Sequence, residues 1–439
     1  MKWSRYNIFF KASTGDFYLL YNTMSNFFAR IDIANATLLY KLQDGELLAN
    51  ELDPDTLRDL TEKKVLVEND DVEMAKFKLI KQYNRMNNKT LSLTIAPTLA
   101  CNLHCSYCFE KKHPNIYMDD KVEDDIINFI AGHKDIEKLH ISWFGGEPLL
   151  NFPRIVSLTR KMLAIPNIKD YSAEIITNGV CMDSNKADAL GDLRIKTVHV
   201  TIDGIGNVHN QRRKGCKGED TYSKIINALD ILSQYDDISK TIRVNIDKSN
   251  CEEFVKVFTM INKRYNGLNF NTYLGFIKDS YGCGNACTGC FATEEQGLLV
   301  MEAYKQLSQS SGTLTPQRYN YECIARQKNG FLIGPEGEIY KCWTDLGNSD
   351  MCLGNINNLS GISQDLLAQY MVGADPFSDV TCQSCSLLPF CGGGCPHSRI
   401  MNDFYGSSNN NCHFAKWYIK EFLETSYYLQ NKLKFYGRN

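Results

Sequence analysis

The chain has 439 residues, 43% hydrophobic and 23% charged, with a formal net charge of −3. That balance describes a globular protein of two or three domains and excludes a general nucleic-acid or membrane-surface binder. No apolar run approaches the ~20 residues of a bilayer span, and the opening MKWSRYNIFF lacks the apolar core of a signal peptide, so a cytoplasmic location is expected.

Seventeen cysteines, an odd number, do not form a disulfide framework in a reducing compartment. Eleven of them lie from Cys283 onward at short spacings, which reads as metal or cluster ligation. Exposed iron–sulfur centres would suit an anaerobic or microaerobic setting.

Residues 1–72 read as a small module. Tyr6–Phe10 and Phe17–Tyr21 are aromatic-rich strands around a Ser13-Thr14-Gly15-Asp16 turn. Helical patterns follow at 34–42 and 54–63, the second with Asp53 as N-cap and Pro54 in the first turn. Val65–Val67 is a closing strand. Together they predict a winged-helix-like module; a structural cap on the next domain is the other reading. Residues 73–89 read as a polar linker.

Residues 90–310 are regular. Strands are predicted at Leu91–Ala96, Lys138–Phe144, Ala173–Ile176, Thr197–Ile202, Thr241–Ile246 and Phe270–Ile277. Helices at 120–131, 153–163, 184–190, 222–233 and 251–263 separate them. Six alternating units predict a parallel α/β sheet, a partial (β/α)6 TIM-like barrel rather than a full eight-unit one. Residues 311–439 hold a hairpin over 331–342, loops rich in Cys, Gly and Asn, and a final helix near 414–433. So little regular apolar pattern needs cross-links, which bound clusters supply.

The first strand runs into Cys101-x3-Cys105-x2-Cys108. Three thiolates can hold three irons of a 4Fe–4S cube and leave the fourth iron open, whereas electron carriers take four cysteines. Zinc, with His104 or His113 as a fourth ligand, is the other chemistry for this spacing. One strand later stands Gly145-Gly146-Glu147-Pro148, glycines that admit a close ligand and an acid that can pair with an ammonium group. Together these motifs resemble the radical S-adenosylmethionine (SAM) superfamily. The resemblance implies that Cys101, Cys105 and Cys108 bind the SAM-cleaving cluster. Tyr107, Gly145, Gly146, Glu147, Asn178 and Thr201 would contact SAM, the last two from the strand ends Ile176–Gly179 and Val200–Gly204. Arg243 is a further candidate.

Downstream, Cys323, Cys342, Cys382-x2-Cys385-x5-Cys391-x3-Cys395 and Cys412 resemble the SPASM auxiliary-cluster domain of peptide-modifying radical SAM enzymes. By that likeness Cys382, Cys385, Cys391 and Cys412 hold an outer 4Fe–4S cluster, and Cys323, Cys342 and Cys395 an inner one. Two zinc ribbons are the alternative. The sequence departs from sulfatase-maturing relatives twice. No further cysteine follows Cys323 closely, and the residue after Cys342 is Trp343 instead of an acid, with Asp345 two positions on. Cys352, or one of Cys283, Cys287 and Cys290, is a candidate fourth inner ligand. Cys181, Cys216 and Cys251 read as ordinary buried thiols.

The expected activity is a peptide maturase with SAM and three 4Fe–4S clusters. It would install a thioether or carbon–carbon cross-link in a ribosomally made precursor peptide. The N-terminal module would bind the leader on a strand edge, and flavodoxin or ferredoxin would supply electrons; no nucleic acid or membrane is involved. The alternatives are an anaerobic sulfatase-maturing enzyme and a zinc-stabilised peptide-binding protein.

Overall fold

The computed structural model describes residues 1–13, 15–110, 113–278, 289–307 and 317–436. Cys283, Cys287 and the 310/311 domain boundary lie outside them.

At the N-terminus, strand β1 (Lys2–Trp3) is followed by β2 (Asn7–Lys11), β3 (Tyr18–Asn22) and β4 (Phe27–Ile31), the last three an antiparallel meander in the order β2-β3-β4. The hairpin is as read from sequence; the third strand is additional. Helices Ile33–Asp44 and Pro54–Glu62 come next, the second capped by the Asp53 side chain as expected. The closing strand β5 (Leu66–Val67) pairs with β1 and not with the hairpin. Both faces of the meander are covered. Phe10, Leu19 and Tyr21 pack on Leu387 and Leu423 near the C-terminus, while Leu20 packs on Leu39, Leu42 and Val65 of the module itself.

The expected linker is instead a docked helix, Asp70–Arg85. Its polar sequence hides a face with buried partners in the C-terminal region. Arg85 pairs with Glu322 (3.1 Å) and Asp375 (3.1 Å), Lys81 donates to the Tyr321 carbonyl, and Phe77 meets Phe377 at 5.8 Å.

The six predicted strands appear with small boundary shifts: β6 (Thr90–Ile95), β8 (Lys138–Trp143), β9 (Asp170–Thr177), β10 (Ile195–Thr201), β12 (Ser239–Ile246) and β13 (Phe270–Phe276). Short β7 (Leu103–Cys105) and β11 (Arg213–Gly215) form a separate antiparallel ribbon. The six lie in parallel, in chain order, with helices between them. Beyond β6, β14 (Gly330–Ile333) adds as a seventh parallel strand, and β15 (Glu338–Tyr340) and β16 (Gly354–Asn355) continue antiparallel. The cysteine-rich region therefore shares the main sheet.

Alternation along these strands sorts the side chains. Leu93, Ile141, Ile175, Val198, Val200, Ile242 and Val244 are buried in the main hydrophobic core. Their neighbours Ser142, Glu174, His199, Arg243 and Asn245 belong to the opposite face, and the last four line a cavity.

Candidate functional site: a thiol-lined cavity at the strand ends

The cavity, about 540 Å³, opens where parallel α/β folds place their chemistry, at the C-terminal strand ends. Cys101, Cys105 and Cys108 share its wall. The loop that carries them is stapled by the β7–β11 ribbon and by the Ser106 N–H on the Arg212 carbonyl (3.2 Å). A three-residue strand of Arg, Lys and Gly has no readable sequence signal, so sequence reasoning missed this staple.

Gly145 and Gly146 are required by the same loop. Gly145 has φ +112°, and a Cβ there would stand 2.5 Å from the Thr98 carbonyl oxygen. At Gly146 a Cβ would meet the Leu99 and Ala100 oxygens, each at 2.4 Å. The bare backbone thus crosses the root of the cysteine loop and still borders the cavity.

Glu147 is fully buried behind that wall and is not among the cavity-lining residues. Its carboxylate accepts the Thr177 hydroxyl (2.7 Å), the Asn178 N–H (2.7 Å) and the Leu149 N–H (2.9 Å). Burial pushes its pKa upward while these donors hold it down. Asn178 lines the cavity and donates to Asn102 Oδ1 at 2.8 Å, within the cysteine loop. Thr201 also lines it. The Tyr107 hydroxyl oxygen accepts from Arg213 (2.7 Å) and Asn245 (3.2 Å), with the Arg212 guanidinium 5.3 Å from the ring centre.

Further residues line the same space. Glu174 accepts from Ser142 (2.7 Å) and pairs with His199 (3.0 Å); burial opposes its charge, but the histidine and serine partners keep it well below the usual carboxylate range. Arg243 is exposed to the cavity and bonds Asn245 at 2.7 Å, with no carboxylate partner among the described residues. Glu110 is buried at the wall with its pKa pushed up to about 7 by desolvation. Phe144 stacks on Trp343 (5.2 Å), whose indole N–H reaches the Thr94 hydroxyl at 2.8 Å. Asp345 is elsewhere, fully buried and held by Tyr370 and by His397 at 3.2 Å.

The downstream cysteines gather into two groups. Cys323, Cys342 and Cys395 lie close enough to act on one another electrostatically, as do Cys385, Cys391 and Cys412. Cys382 joins the second group, sharing Lys416 with Cys385 and Cys412. Cys352 is apart, with its thiol on the Gly354 carbonyl (3.2 Å) in the cluster around Tyr340 and Leu346. Cys216 is exposed, contrary to the sequence reading, because β11 carries it onto the surface of the cysteine loop. Among the described residues no three His, Cys, Asp or Glu side chains are gathered tightly enough for a single metal ion.

Three thiols around one cavity fit a cube that uses three of its four irons. Burial first, then nearby carboxylates and Cys105, push Cys101 and Cys108 up to about 12; a bound metal would supply the counter-charge for their thiolates. Residues 95–261 match the family model of the Radical SAM superfamily. The chain carries a radical SAM domain.

A cysteine-type anaerobic sulfatase-maturating enzyme of Clostridium perfringens is 32% identical over 157 residues, 33% of this chain and 41% of that protein. The chain thus matches less than half the length of that relative. The solved structure of native anSMEcpe with bound AdoMet and Cp18Cys peptide has a TM-score of 0.62 at 20% identity, covering 78% of this chain and 98% of that one. Streptococcus suis SuiB bound to precursor peptide SuiA has a TM-score of 0.52 at 15% identity, covering 90% and 96%. At these identities the likeness to both structures is one of fold. No described helix is long and apolar enough to cross a membrane.

Proposed function

We propose that this radical SAM enzyme is a peptide maturase that installs an intramolecular cross-link, thioether or carbon–carbon, in a ribosomally made precursor peptide. The observation that carries this reading is the wall at Trp343. An indole stacked on Phe144 occupies the position after Cys342, and Asp345 is engaged by Tyr370 and His397 away from the cavity. With an aromatic side chain instead of an acid at this position, the wall shields a carbon radical from water until a second side chain meets it. Both structural neighbours named above are complexes with a peptide, which supports that substrate class.

When bound through Cys101, Cys105 and Cys108, the cluster and SAM supply the adenosyl radical that takes a hydrogen atom from the substrate. The chain's own residues bind and orient. Gly145 and Gly146 leave room for SAM, Asn178 and Thr201 face it from adjacent strand ends, and Tyr107 is fixed by Arg213. Arg243 offers a cation to a carboxylate of SAM or of the peptide. The N-terminal meander would take the leader along an outer strand, and the two downstream thiol groups would hold auxiliary clusters.

Sequence likeness to the C. perfringens enzyme favours a second reading, formylglycine formation on a sulfatase. The reconstituted protein, SAM and a reductant are incubated with a sulfatase-derived peptide and with the short peptide encoded beside its gene. Loss of two hydrogens on the neighbouring peptide, with no aldehyde on the sulfatase peptide, supports cross-linking; the reverse assigns the second reading. Stoichiometric zinc in place of iron would support the non-enzymatic alternative.

A further inference from the structure

The four thiols at 382, 385, 391 and 412 differ from the other two groups in what their sulfurs receive. Arg399, almost fully buried, directs one guanidinium N–H to Cys382 Sγ at 2.8 Å. Its other nitrogens are anchored on the Gly393 carbonyl and on Asp379 (2.9 Å), whose carboxylate also accepts from the Cys382 thiol at 3.5 Å, so the fork is fixed. Lys416 Nζ stands 3.3 Å from Cys412 Sγ. Backbone N–H groups serve the remaining two, Leu387 on Cys385 at 3.4 Å, and Gly393 and His413 on Cys391.

At the other two groups no cation donates to a sulfur among the described residues. Cys323 and Cys342 receive backbone N–H groups from Ala325 and Thr344. Lys341 and Arg326 act on Cys323 through their charge alone: Lys341 spends its protons on the Gln327 and Gly330 carbonyls, and Arg326 donates to the Ala374 carbonyl. Around the SAM motif, Cys101 has the neutral Asn178 amide at 3.9 Å, and Arg213 acts on Cys105 through its charge while giving its hydrogen bond to Tyr107.

We propose that Arg399 and Lys416, by hydrogen-bonding its sulfurs directly, raise the reduction potential of the cluster held by Cys382, Cys385, Cys391 and Cys412. The physical reason is charge. Reduction adds one negative charge to the cluster, and hydrogen bonds and cations at its sulfurs stabilise the reduced form more than the oxidised one. One electron enters without any bond made or broken and leaves to a one-electron carrier of the flavodoxin or ferredoxin class. Arg399 and Lys416 are positioning residues here; neither needs to touch substrate. The inference rests on the reading that these thiols hold an iron–sulfur cluster.

The test is a redox titration of the full chain followed by electron paramagnetic resonance, with iron counted in each sample. At a fixed solution potential near that cluster's midpoint, its ratio of reduced to oxidised form falls about tenfold in Arg399→Gln and about threefold in Lys416→Gln. Arg399→Lys restores most of the ratio, and the other two signals do not move. Should Arg399→Gln fail to fold, Lys416→Gln on the exposed side decides alone. Full iron with unshifted midpoints in the folded variants overturns the inference and leaves the cluster reading intact. Wild-type protein without iron at this group overturns both.

Discussion

The carboxylate of Glu147 accepts the backbone N–H of Asn178 at 2.7 Å, joining the end of one parallel strand to the loop that follows its neighbour. Asn178 in turn reaches Asn102 between the first two cysteines, so one buried acid holds the cysteine loop in register with the sheet. Glu147→Gln places an amide N–H₂ against one of three converging donors. The expected cost is about 2–4 kcal/mol of stability, read as a lower urea midpoint. A midpoint equal to that of the unsubstituted protein would show that Glu147 has no such structural role.

Lys81 provides a pH signature. Burial lowers its pKa to about 8 from 10.5. Between those values the unfolded chain binds more protons than the folded one, so stability rises with pH across that window. The contribution is on the order of 3 kcal/mol. Lys81→Met should flatten the rise in urea unfolding measured from pH 8 to 10.5. A slope identical in both proteins contradicts the assignment.

Strand and core were legible in the sequence, and for one reason. A parallel sheet covered by helices produces apolar runs, and Leu91–Ala96 through Phe270–Ile277 carry them. What faced the cavity was harder to see, since Glu174 and His199 are single polar residues inside those runs, visible only once alternation assigns them a face. Non-local pairings left no trace: nothing in Gly330–Ile333 announces β6 as its partner. The helix Asp70–Arg85 read as a linker because its docking face sets Phe77 among lysine and arginine whose carboxylate and carbonyl partners are distant in sequence. The two downstream cysteine groups, by contrast, are implied by the SPASM resemblance; spacing alone keeps together only the run from Cys382 to Cys395, since Cys323, Cys342 and Cys395 are far apart in the chain.

Trp343 should separate radical formation from its use. Trp343→Ala removes the stack on Phe144 and the bond to Thr94 without touching the SAM-motif thiols. 5′-Deoxyadenosine release should persist within a few-fold while cross-linked peptide falls at least about tenfold. Parallel loss of both products would place Trp343 in SAM binding instead.

In the meander, β3 is central and β2 and β4 are its outer strands. A leader peptide added as a strand should slow amide hydrogen exchange in Phe27–Ile31 or Asn7–Lys11, leaving Tyr18–Asn22 as it was. If the peptide binds while both outer strands exchange at their free rates, recognition lies elsewhere.

The central claim is that Cys101, Cys105 and Cys108 hold the SAM-cleaving cluster. Replacing all three by alanine should lower iron from about twelve to about eight per chain and abolish reductant-dependent 5′-deoxyadenosine, with the downstream clusters still visible spectroscopically. Undiminished 5′-deoxyadenosine from the triple variant would contradict it.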